Sequence, residues 1–156
     1  MEWREICENP HLQNLPFKIE QNRFGQIVMS PAKTRHAILQ GQLIKLLQSR
    51  IDAGIVFPEC PIQTEDGVKV ADVVWCSPER QRLIENETVC PVAPEICIEI
   101  LSDSNTEAEM SEKRRLYLAA GAEEVWLLGM DRRLRYFDAS GQCPDSRRLP
   151  GLPDSL

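Results

Sequence analysis

Three ionisable residues interrupt stretches that are otherwise apolar. Asp72 lies in the run VKVADVVW (68–75), Glu99 in EICIEIL (95–101), and Lys113 in a segment whose apolar residues recur at helical spacing. A carboxylate or ammonium on a face that should be buried is costly unless it is paired, hydrogen-bonded or bound to an ion. The three together would relieve one another. Two carboxylates and a lysine are also a working set for metal-assisted hydrolysis of a phosphodiester. Hard oxygen ligands hold Mg²⁺ or Mn²⁺, the metal polarises the phosphate and acidifies the attacking water, and the ammonium steadies the developing negative charge. The same trio could instead form a buried ion network with no catalytic task. Spacing alone leaves both readings open.

The elements that must carry these residues can be read from periodicity. Phe17 to Glu20 and Gln26 to Met29 read as two short strands around a turn at Asn22 to Gly25. Ser30-Pro31 then offers an N-cap and a first-turn proline, predicting a helix from about Pro31 to Ala53, closed by Gly54. Its inward stripe is Ala32, His36, Leu39, Leu43, Leu46 and Leu47. Ile55 to Gln63 and Val68 to Trp75 form a second strand pair around Glu65-Asp66-Gly67, and alternation sets Val68, Val70, Asp72 and Val74 on one face. Residues 77–91 read as charged and irregular, with a short helix or a loop around residues 79–82. The near-continuous apolar run at 95–101 suits a strand covered on both faces, with Glu95, Cys97, Glu99 and Leu101 on one side.

A second long helix starts at Thr106, which with Glu109 makes a capping box, and stops at Gly121. Its sheet-facing stripe holds Met110, Leu116, Tyr117 and Ala120, and Lys113 falls within it. Val125 to Met130 and Leu134 to Phe137 read as closing strands, and the Pro/Gly/Ser-rich tail from Ala139 reads as loose. The first dozen residues read as a polar lead-in.

Composition bounds the function. A chain of 156 residues predicts one α/β domain over 1–156 with its core in about residues 12–138, large enough to need no disulfide staple. No apolar run approaches the roughly 20 residues of a membrane span, and no signal-like segment opens the chain, so a cytoplasmic protein without membrane contact is expected. Eighteen basic against 24 acidic residues give a net charge of −6, so any nucleic-acid contact must rest on a local patch. Six cysteines without CxxC spacing read as reduced thiols.

The succession IEQNRFGQIVMSP, TRHAILQGQL, KVADVVW, APEICIEILSDSN and EMSEKRRLYLAAGAEEVWLL resembles the Uma-two family of putative restriction endonucleases, a bacterial group of the PD-(D/E)XK nuclease superfamily. The likeness spans roughly residues 10 to 150. It implies a restriction-endonuclease-like core, a mixed β-sheet flanked by α-helices, and a Mg²⁺- or Mn²⁺-dependent endonuclease acting on DNA as a homodimer. By the same resemblance Asp72 matches the aspartate of the PD motif and Glu99 the acidic residue of ExK, both as metal ligands. Ala71 replaces the proline, and Leu101 stands where the motif lysine would be; Lys113, from the following helix, matches the displaced lysine. Glu20 matches an acidic position and His36 a helix histidine near the site.

Plainer readings stand beside these. His36 could be a core-facing histidine, Glu20 a half-exposed strand carboxylate, and Glu95 a strand-end residue facing solvent. Cys97 reads as a small hydrophobe, and the basic clusters at 113–115, 132–135 and 147–148 as solvated faces balanced by glutamates. Trp75 and Trp126 read as core or interface anchors. In a different functional class, the chain would keep a nuclease fold as a weakly active or inactive binding or regulatory module.

Overall fold

A computed structural model describes residues 1–156. Strands β1 (Phe17–Gln21) and β2 (Ile27–Pro31) form an antiparallel hairpin. Strands β3 (Ile55–Thr64), β4 (Gly67–Cys76), β5 (Ile96–Ile100), β6 (Glu124–Leu128), β7 (Leu134–Asp138) and β8 (Gly141–Cys143) form a six-stranded sheet in that order. Only β5 and β6 run parallel, joined by the crossover helix α4 (Glu107–Ala119). Helix α2 (Thr34–Gln48) packs Leu39, Leu43 and Leu47 against Val73, Trp75, Ile96, Ile98 and Ile100 on one face. On the other face Cys97, Val74 and Val125 meet Tyr117 of α4 and Ile84 of α3 (Pro78–Ile84). The mixed, helix-flanked sheet expected from the sequence is therefore present, with β5 buried along its whole length.

Several local expectations are corrected. Ser30 and Pro31 do not open a helix: they pair with Lys18 and Phe17, and Ala32 N–H bonds the Pro16 carbonyl, so the hairpin continues through them. Proline is tolerated there because β2 is an edge strand. The helix starts at Thr34 and ends at Gln48, which leaves Ala32 exposed and outside it and Leu46 only half-buried. The lead-in is not irregular, since it holds α1 (Trp3–Glu8) and a 3₁₀ turn at Pro10–Leu12.

The tail is not loose either. The buried carboxylate of Glu124 accepts bonds from Ser146 Oγ and from the Arg147 and Arg148 N–H groups, and Leu149 enters the core. A buried carboxylate needs such donors, and the tail supplies them. Glu95 does not face solvent. It accepts bonds from the Ser77 N–H and hydroxyl, fixing the start of α3. The capping box of Thr106 and Glu109 forms as expected. All six cysteines are free, and Trp75 and Trp126 are buried. No helix is long and apolar enough to cross a membrane.

Candidate active site

The site is a fork in the sheet. The β4–β5 ladder ends at the pair Val73 and Ile98, so Asp72 and Glu99 are the next residue on each strand, where the two part. Opposite Asp72 on β3 stands Glu59, with a left-handed φ of 54°, the one position missing from the β3–β4 register. The expected alternation breaks there. Ala71 and Val74 enter the same core cluster, whereas Val73 enters the opposite one.

Parting strands leave backbone groups without ladder partners, and such groups must be satisfied. Side chains of the site do so. Asp72 Oδ2 accepts the Ile100 N–H at 2.7 Å, Glu20 Oε1 accepts the Val70 N–H at 2.8 Å, and Gln40 Nε2 donates to the Asp72 carbonyl at 2.7 Å. Hence the carboxylates are aimed by main-chain bonds as well as by their own strands.

Into this fork point two ammonium groups. Lys113 Nζ, from α4, lies 2.9 Å from Glu20 Oε1 and 3.2 Å from Glu99 Oε2. Lys18 Nζ, from β1, lies 2.7 Å from Asp72 Oδ1, 3.8 Å from Glu99 Oε2 and 4.0 Å from Glu20 Oε1. His36 Nε2 sits 3.2 Å from Asp72 Oδ2, and the Tyr117 hydroxyl donates to Glu99 Oε1 at 2.6 Å. All five residues singled out from the sequence, Asp72, Glu99, Lys113, Glu20 and His36, are therefore brought together in one cluster, and all line one cavity of about 420 Å³.

Electrostatics follow the geometry. Burial opposes ionisation of Asp72, yet the Lys18 ammonium and the His36 imidazole outweigh it and hold the carboxyl well below the usual range. The hydrogen bond to Asp72 raises His36 against the pull of its partial burial. Burial pushes Glu99 up despite Lys113 and Lys18. Both lysines are raised although burial works against them, because Glu99 and its neighbouring carboxylates favour the charged form.

Sequence reasoning missed Lys18, Gln40 and the bond made by Tyr117. Lys18 stands two residues before Glu20, which in a strand means the same face. Tyr117 stands four after Lys113, which in a helix means the same stripe. Those spacings were the available signals.

No group of three or more His, Cys, Asp or Glu side chains stands ready to hold a metal ion, and the Lys18 and Lys113 ammonium groups pair with the carboxylates instead. The donor set nonetheless fits a hard divalent cation in kind. Three carboxylates converge within 4.0 Å of a single cationic point, the Lys18 Nζ.

Over residues 6–148 the chain matches the model of a family described as Uma2, putative restriction endonuclease. Among solved structures it is similar to the crystal structure of a putative nuclease belonging to DUF820 from Anabaena variabilis ATCC 29413. The identity is 20%, the alignment covers 98% of this chain and 89% of that one, and the TM-score is 0.69. The two share a fold. No curated protein matches the chain.

Proposed function

Because the chain belongs to the Uma2 family, described as putative restriction endonucleases, we propose that it is a divalent-metal-dependent DNA endonuclease with its reaction centre at the sheet fork. The observation that carries this reading is the convergence of Asp72, Glu99 and Glu20 on the Lys18 Nζ, with Lys113 bonded to Glu20 and Glu99 beside it. When bound, Mg²⁺ or Mn²⁺ supplies Lewis acidity toward the phosphate and a more acidic water. Asp72 and Glu99 are the residues that would hold it, with Glu20 completing the set.

The chain's own groups do the rest. Tyr117 fixes Glu99 Oε1 and the Ile100 N–H fixes Asp72 Oδ2, so the two carboxylates are already oriented and lose little side-chain freedom on binding. Lys113 holds a positive charge where the phosphate's negative charge grows. His36 acts through Asp72 as a positioning residue. A homodimer would set two such sites against the two strands of a duplex.

One observation favours a second reading. Each carboxylate already has a cation or an N–H partner, so the network closes as a purely structural device. Incubating the protein with labelled single-stranded, duplex and supercoiled DNA, with Mg²⁺, with Mn²⁺ and with EDTA, tests the nuclease reading. Cleavage that requires metal and is lost in Asp72→Asn is expected. Absence of cleavage on every substrate, together with a melting temperature insensitive to metal, would favour the structural network.

A further inference from the structure

The cation already at the focus of the fork is Lys18, and it lies closer to the Asp72 carboxylate than His36 does. With three carboxylates and two ammonium groups the cluster carries one net negative charge before His36 is considered. A divalent ion added with both ammonium groups in place would reverse that sign in a region where Asp72 and Glu99 side chains are 3% and 5% exposed. At such low exposure the repulsion is weakly screened. Moving one ammonium out of the cluster would relieve that repulsion.

The two lysines differ in their freedom to do so. Lys113 is seated between Glu20 and Glu99 on a helix anchored by the buried Met110, Leu116 and Tyr117, and it makes no contact with Asp72. Lys18 projects from β1, whose partner β2 is largely exposed, and both strands help wall the cavity of about 420 Å³. That cavity gives its flexible four-carbon stem room to swing outward.

Resting on the reading of the site as a metal-dependent nuclease, we propose that Lys18 is a resident counter-ion that a divalent metal displaces on binding. The displacement lowers the protein's affinity for free metal. It also leaves an ammonium at the cavity mouth, beside the path of an incoming phosphate. Metal and phosphate then favour each other, because the phosphate gives the displaced ammonium a new partner.

Calorimetric titration of Mn²⁺ into the wild type, Lys18→Met and Lys18→Arg at matched ionic strength tests this. Lys18→Met is expected to bind about tenfold tighter or more, since no ammonium then has to be detached from Asp72 before the ion enters. Lys18→Arg, which keeps the charge, should not gain affinity. Mn²⁺ should also raise the melting temperature of Lys18→Met more than that of the wild type. Equal or weaker binding by a folded Lys18→Met, with the wild type binding, overturns the counter-ion role and leaves the nuclease reading intact. Absence of binding in all three proteins overturns both. If Lys18→Met folds only with Mn²⁺ present, the role is supported; if neither it nor Lys18→Gln folds with Mn²⁺, Lys18 is a structural brace and the proposal fails.

Discussion

Asp72 is the residue on which the site turns, because it bonds Lys18, His36 and the Ile100 N–H at once. Replacing it by Asn leaves a buried ammonium without its closest anion, which should cost about 3 kcal/mol or more in a denaturant melt. Lys113→Met should lower cleavage by about 100-fold, the scale of losing one preorganised charge on the transition state. The pH dependence has two limbs of opposite sign. Asp72 is depressed in the folded state, so its contribution is present above the ordinary carboxyl value near 4 and is lost on acidification through the lower folded value. His36 is raised, so its contribution is present below about 6.5 and fades as pH rises through the higher folded value. Stability from this pair is therefore greatest between about pH 4 and 6.5, and His36→Gln should flatten the decline seen in thermal melts from pH 6.5 upward.

At the scale of elements, the site depends on how the β1–β2 hairpin is docked, since it delivers Lys18 and Glu20. The β3–β4 turn meets it at Gly67, whose φ is +77° and where an added Cβ would lie 2.5 Å from the Gln21 carbonyl oxygen and 2.6 Å from Asn22. Gly67→Ala should thus destabilise by more than about 1 kcal/mol and loosen Lys18 and Glu20 from the fork, readable as a lower melting temperature and weaker cleavage together.

The sequence made the strands and both long helices legible, because Leu39, Leu43 and Leu47 keep helical spacing and the Thr106 capping box is local. It made Asp72, Glu99 and Lys113 legible because each breaks an apolar face. The parting of β4 and β5 beyond Val73 and Ile98 was not legible, since strand register is a pairing between distant segments. Nor was the order in the tail, which depends on Glu124 meeting residues more than 20 positions away. Lys18 was hidden for a similar reason: in a half-exposed strand a lysine breaks no pattern, and its partner Asp72 lies 54 residues on.

For the whole molecule, the net charge of −6 means that attraction to DNA must come from few groups. Most basic clusters are spoken for: Arg115 pairs with Glu65 and Glu112, Arg148 with Glu123, and Arg147 with Asp138. Around the cavity Lys18, Lys33 and Lys113 are the cations nearest a bound strand, each itself paired with a carboxylate. With about three phosphates neutralised, the logarithm of DNA affinity should fall against the logarithm of salt with a slope no steeper than about −3, measurable by fluorescence anisotropy. A much steeper slope would place the DNA on a different surface. The most direct test of the claim that the fork holds a metal is calorimetric titration of Mn²⁺ into the wild type and Glu99→Gln. One Mn²⁺ per wild-type chain, with binding lost in a folded Glu99→Gln, is the predicted result; equal binding by both proteins, or none by the wild type and the Lys18 variants alike, would contradict it.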